Sequence, residues 1–199
     1  MYVHLRRSLI MATICLVFFG FAYAFVGTGL AQLLFPHQAN GSLSASGSTL
    51  IGQNWSSSKW FHGRPDDTGP YAANAAKGIA GGDNPLSANG VSGQSGGTNL
   101  GPRSATLLAN TKALVAYWHA RGVNPTPDLV TTSASGYDPD VSPLDATVQI
   151  PMVARATGVS PSALRGLIAR VTHGPQFGFL GASYVNVLEL NENLAKLVK

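Results

Sequence analysis

Cysteine is nearly absent: the 199-residue chain carries one, Cys15. Neither a disulfide framework within the chain nor a Cys-based zinc site can be built from a single thiol. Whatever domain follows must hold together by core packing. Ala12, Thr13 and Ile14 do not form a lipoprotein cleavage box before Cys15, which reads as a small apolar residue facing lipid or another helix. Charge is scarce as well, with 13 Lys and Arg against 9 Asp and Glu, a net charge of +4 and no run of three basic residues. That balance argues against a coiled coil, a charged disordered tail and a nucleic-acid binding surface. The five histidines, at 4, 37, 62, 119 and 173, have no ligand spacing, which disfavours zinc. No G-x-x-x-x-G-K-[ST] occurs, and no G-x-G-x-x-G follows a strand pattern, so a phosphate cradle is disfavoured too.

What is present begins at the front. From Ser8 to Phe35, SLIMATICLVFFGFAYAFVGTGLAQLLF, no side chain is charged, and after Arg7 the next charge is Lys59. A helix crossing the hydrocarbon core needs about 20 apolar residues, so this run is long enough to span. Gly20, Gly27 and Gly29 give it a small-residue face that would let a neighbouring membrane helix approach closely. A cleavable signal peptide is the alternative, with Arg6 and Arg7 as n-region and Ala22-Tyr23-Ala24 as cleavage pattern. The apolar run, however, continues past Ala24 to Phe35-Pro36. In both readings the basic flank keeps the N-terminus in the cytoplasm and places the rest outside. The expected organisation is a cytoplasmic N-terminus over 1–7, a transmembrane helix over 8–35 and an extracytoplasmic domain over 36–199.

In that domain, extended or strand segments are expected near 48–54 and 59–63, followed by a long Gly-rich loop over 66–101. Ser104 is placed to cap a helix carrying Leu107, Leu108, Leu114, Val115 and Trp118, with Gly122 past its end and His119 half-buried on it. Ser142-Pro143 opens another helix with Asp145 in a capping box, and Pro151 ends or kinks it. Ser160-Pro161 starts a third, with an apolar stripe of Leu164, Leu167, Ile168 and Val171. YVNVLEL at 184–190 reads as a strand, with Asn191 capping a short terminal helix. The fold class is mixed α and β (α+β), one modest core preceded by one membrane helix.

Three clusters invite chemistry. Gly93-Gln94-Ser95-Gly96-Gly97 matches the nucleophile-elbow pattern, with Asp138 and His173 following in hydrolase order, but it lies in a Gly/Ser-rich loop where an elbow needs a strand before and a helix after. Asp138, Asp140 and Asp145 offer oxygens for Ca²⁺ without the glycine or closing glutamate of an EF-hand, and Pro139 and Pro143 indicate a rigid turn instead. Trp60, Phe61, His62 and Arg64 form the densest group of contact-making side chains. They are either a docking knob for a partner or core residues, with Arg64 paired to Asp66 or Asp67. Asp138 and Asp140 join them as candidate partner contacts.

Seven ordered stretches carry a resemblance: FPHQANGSL (35–43), GSTLIGQNW (47–55), WFHGRP (60–65), GGTNLGP (96–102), DLVTTSASGYDPDVSP (128–143), QIPMVARATGVS (149–160) and YVNVLELN (184–191). With the single membrane helix, the chain resembles the KdpC family, the C subunits of Kdp potassium-transporting P-type ATPases. Trp60, Tyr137 and Val141 depart from the family's usual Tyr, Leu and Ile, and residues 66–95 match it loosely. The resemblance implies a non-enzymatic accessory subunit. Such a subunit joins a potassium-binding channel-like subunit, an ATP-hydrolysing subunit and a small single-helix subunit, within membrane lipid and without nucleic acid. It implies a role in assembly and, as proposed for the family, in raising the ATP affinity of the catalytic subunit. ATP and K⁺ are then handled by the complex, with no cofactor assigned to this chain. The exported hydrolase or binding module released by signal cleavage is the alternative.

Overall fold

The computed structural model describes residues 2–53, 55, 57–65, 100–133, 135 and 138–198. The chain divides into two compact units, Met1–Leu43 and Ser44–Lys199.

The first unit is one long apolar helix followed by a single turn. Helix α1 (Tyr2–Cys15) passes into a π-helical stretch, Leu16–Ala22, and then into α2 (Tyr23–Leu34). The continuous 33 residues amount to about 50 Å, longer than a hydrocarbon core of roughly 30 Å. The helix starts six residues before the expected Ser8, because nothing in Tyr2–Arg7 opposes helix and the basic pair can continue it into a polar region. Phe35, at φ −138, breaks the ladder, and Pro36 opens the four-residue α3 (Pro36–Ala39), where its missing N–H is no loss. Gly20, Gly27 and Gly29 lie on an open surface: a Cβ at Gly27 or Gly29 would meet nothing within 4 Å.

The second unit is mixed α and β, dominated by helices. Helix α4 (Ala105–His119) starts at Ser104, whose side chain accepts from the Leu107 N–H. Its Leu114 and Trp118 are buried, and the Trp118 indole donates to the Leu129 carbonyl at 3.0 Å, tying the helix to the 3₁₀ turn Pro127–Leu129. His119 is exposed, not half-buried, because the helix turns its Leu114–Trp118 stripe inward and His119 lies about 100° round from Trp118.

Strand β1 (Asp140–Val141) leads into α5 (Pro143–Val148), whose Ser142 and Asp145 form a reciprocal capping box. Pro151 does interrupt the helix: Gln149 separates α5 from α6 (Ile150–Thr157). Helix α7 (Pro161–Val171) begins at the Ser160 cap and buries Leu164, Leu167 and Ile168. Strands β2 (Thr172–His173) and β3 (Tyr184–Asn186) complete an antiparallel sheet in the order β1-β3-β2, with Val185 opposite both Val141 and Thr172. Helix α8 (Val187–Ala195) closes the unit.

Two further sequence expectations change. The strand expected over 184–190 stops at Asn186, whose side chain caps α8 by accepting from Glu189 N–H. Asn191 is therefore inside the helix and fully buried. The segment VNVLEL satisfies period 2 at its start, but Val187, Leu190, Asn191 and Leu194 follow the helical period, and the longer pattern wins. Among the described residues of 48–54 and 59–63 no strand forms, which leaves the extended-segment alternative. The loop expected over 66–101 falls, up to residue 99, outside the described residues.

Gly158 ends α6 in the left-handed conformation, φ +75, with nothing near its Cβ position. Replacement by alanine is expected to cost about 1 kcal/mol through backbone strain alone, read as a lower urea midpoint at unchanged slope. A neutral result would mean that the α6–α7 connection does not need this conformation.

Candidate functional site

The segment Trp60–Pro65 is held by side chains where a sheet would use a neighbouring strand. Asn191, from the middle of α8, accepts from the Phe61 N–H at 2.9 Å and donates to the Phe61 carbonyl at 2.8 Å. Gln149, at the α5–α6 junction, does the same for the next residue. It accepts from His62 N–H at 2.8 Å and donates to the His62 carbonyl at 3.0 Å and to the Asp145 carbonyl at 3.1 Å. Both amides are fully buried, as are the Phe61 and His62 side chains. Two consecutive peptide units are thus satisfied by two primary amides, which meets the requirement that buried backbone groups find partners.

Of the residues named from sequence, Phe61 and His62 lie in the core, because the doubled amide clamp draws their backbone inside. Any influence they have on a partner passes through the position of their neighbours. Trp60 is half-buried with its ring 5.5 Å from Trp55. The His62 ring stands edge-on to Trp118 at 5.6 Å, and among the described residues neither ring nitrogen has a partner at hydrogen-bond geometry. Burial, reinforced by the nearby Arg121 charge and only partly offset by the Ser57 backbone, lowers its pKa to about 3.

Arg64 emerges from the core at the rim and lies 3.7 Å from Asp138 and 3.8 Å from Asp128. Asp66 and Asp67, its expected partners, lie outside the described residues. At such distances and partial exposure each pair contributes less than about 1 kcal/mol and serves mainly to orient.

The three aspartates are committed to backbone and turn geometry. Asp138 accepts from the Ser133 hydroxyl at 3.1 Å and from the Asp140 N–H at 3.2 Å, which closes a tight turn on Pro139. Asp140 accepts from Asn186 at 2.9 Å, and the same amide donates to the Thr49 carbonyl at 2.8 Å. Burial raises the Asp140 pKa; the Asn186 hydrogen bond opposes this, and the Asp138 and Glu189 charges add to it. Asp145 accepts from the Ser142 N–H at 2.8 Å and from the Thr126 hydroxyl. Among the described residues no three of His, Cys, Asp and Glu group to hold a metal ion.

Among the described residues the Asp138–His173 pair of the hydrolase reading does not form. His173 pairs with Glu189 at 2.8 Å and stacks on Tyr184, whereas Asp138 faces Arg64. Ser95 lies outside the described residues. Sequence reasoning missed Gln149 and Asn191 as the determinants of this region. The available signal was an amide on the apolar face of a helix, Asn191 between Val187 and Leu194, where only a satisfied polar group is tolerated.

One helix long and apolar enough to cross a membrane precedes a small α+β unit in which the buried amides and capping side chains hold backbone, the build of a membrane-associated protein. Comparison with known proteins gives it a family. A family model described as "KdpC: K+-transporting ATPase, c chain" matches residues 5–196. A protein of Methylobacterium nodulans named potassium-transporting ATPase KdpC subunit is 42% identical over 98% of this chain and 97% of its own length. Proteins of the same name from Sorangium cellulosum and Methylorubrum populi are 41% and 42% identical, over 96% and 100% of both chains. The chain belongs to the KdpC family, and the hydrolase alternative has no support.

Proposed function

We infer that this chain is the single-pass accessory subunit of an ATP-driven potassium pump in the cytoplasmic (inner) membrane of a bacterium. The observation that carries this is the end-to-end family match, which includes the apolar helix and the α+β unit together. Residues 1–7 remain in the cytoplasm, the helix expected over 8–35 spans, and residues 36–199 lie outside. Arg6 and Arg7 flank one end, and no Lys or Arg follows until Lys59, which supports this orientation. The partners are a potassium-binding channel-like subunit, an ATP-hydrolysing subunit and a small single-helix subunit. Gly20, Gly27 and Gly29 give the helix a face for close packing. The half-exposed Trp60, Arg64, Asp138 and Asp140 are surface contacts in the complex, with Phe61 and His62 beneath them. Chemistry on ATP belongs to the partner subunit, and any effect of this chain on ATP affinity is a coupling free energy transmitted through the assembly.

Topology is testable with an Ala45→Cys variant of the full chain, since Ala45 is exposed and Cys15 lies in the apolar helix. A membrane-impermeant maleimide should label it in intact spheroplasts. Labelling only after lysis would reverse the orientation. A native N-terminus at Phe25 would show signal cleavage and end the anchored-subunit reading.

A further inference from the structure

Between β2 and β3 the chain turns back through residues 174–183, GPQFGFLGAS, without a charged side chain. Gln176 and Leu180 form an antiparallel bridge in which each N–H donates to the other's carbonyl at 2.9 Å. Within it, Gly178 N–H donates to Pro175 and Phe179 N–H to Gln176. Gly178 and Gly181 both adopt φ +82, and Phe177 adopts φ +53. For a residue with a bulky side chain that left-handed conformation costs about 1 kcal/mol or more.

Packing within the domain does not compensate. Phe177 is 87% exposed, Phe179 75% and Leu180 50%. Single exposed apolar residues are ordinary, but three within four positions on a strained, internally bonded turn are not. The turn's own hydrogen bonds hold its rings outward, uncovered by the rest of the domain.

Two features choose the kind of molecule. The reciprocal hydrogen bonds and left-handed residues preset where the rings stand. Such preorganisation lowers the ordering cost of entering a shaped socket and brings little to insertion among fluid acyl chains. Charge points the same way. No Lys or Arg lies between Arg170 and Lys196, and Glu189 at the base of the turn is paired with His173. Anionic headgroups attract basic flanks, which this turn lacks, so an apolar protein surface suits it better than a lipid one. Membership of the KdpC family supplies a reason for a protein partner to exist.

We propose that the 174–183 turn is a docking knob whose Phe177, Phe179 and Leu180 enter an apolar socket on another protein subunit of the same pump. This rests on the subunit reading above.

The experiment uses the tagged full chain co-expressed with the pump's other subunits, solubilised and affinity-purified. Phe177→Gly should raise the thermal midpoint or leave it unchanged, since glycine adopts φ +53 without strain, yet lower the recovered ATPase subunits by about tenfold or more. Phe179→Ser should lower recovery to a similar extent with the midpoint unchanged. A photo-crosslinking amino acid in place of Phe179 should form adducts with a partner subunit. If the wild type recovers no ATPase subunits, both the subunit reading and the knob fail. If the wild type and both variants recover them equally, the knob alone fails. Adducts only with lipid, or only with a second copy of this chain, overturn the proposed occupant.

Discussion

Replacing Gln149 with leucine is expected to cost the α+β unit about 3–5 kcal/mol, although leucine is close to glutamine in volume and more apolar. The amide is fully buried and makes three hydrogen bonds, two of them to the backbone of His62. Leucine would leave the His62 N–H, the His62 carbonyl and the Asp145 carbonyl short of partners in a water-free interior. Each such orphan costs about 1–3 kcal/mol, partly relieved by local relaxation. Gln149→Glu should be worse near neutral pH, because it removes the donor and buries a carboxylate. Asn191→Leu should have an effect of the same size, since it strands both backbone groups of Phe61. The double variant should fall short of the sum, because the first substitution already releases the segment that the second amide holds. Urea unfolding of the detergent-solubilised chain, followed by the fluorescence of its three tryptophans, all beyond residue 43, measures this. A loss below about 1 kcal/mol for either single variant would mean that Trp60–Pro65 is held by packing alone.

That clamp marks the boundary of what could be read from the chain. Features fixed by a few neighbouring residues were legible. Ser104, Ser142 and Ser160 each cap a helix by accepting an N–H three residues on, and Pro151 separates α5 from α6. The stripe Leu164, Leu167 and Ile168 is legible because a single helix imposes it. The β3–α8 boundary was misplaced where one stretch satisfies two periods and the Asn186 cap decides between them. The hydrogen bonds of Phe61 and His62 span 130 and 87 residues, and no local pattern announces them. Those residues were open between knob and core from sequence, and the long-range amides draw them inside. The exposed turn at 174–183 was overlooked for the converse reason: an apolar run reads as core, and only the fold reveals it uncovered. Family resemblance was legible throughout, because it rests on ordered blocks of residue identity and requires no geometry.

The buried histidine gives the unit an acid sensitivity whose sign is set by its surroundings. In the unfolded chain His62 takes up a proton near pH 6.5, whereas in the fold burial and the Arg121 charge hold its pKa at about 3. Between these values the unfolded state binds more protons, so stability is complete above about pH 6.5 and falls as the pH drops toward 3. The slope approaches about 1.4 kcal/mol per pH unit, or about 2 kcal/mol between roughly pH 6.5 and 5, before most carboxylates titrate. Below that range Glu192 acts in the same direction, since the Ser44 hydrogen bond foremost lowers its pKa, while the raised Asp140 acts in the opposite one. The contribution of His62 is therefore isolated by difference. His62→Phe keeps a ring edge-on to Trp118 and removes two nitrogens that, among the described residues, have no partner at hydrogen-bond geometry. Its stability at about pH 7.5 should stay within about 1 kcal/mol of the wild type, with the loss between roughly pH 6.5 and 5 reduced by about 2 kcal/mol. Parallel curves for the two proteins would show that His62 is not held neutral inside the fold.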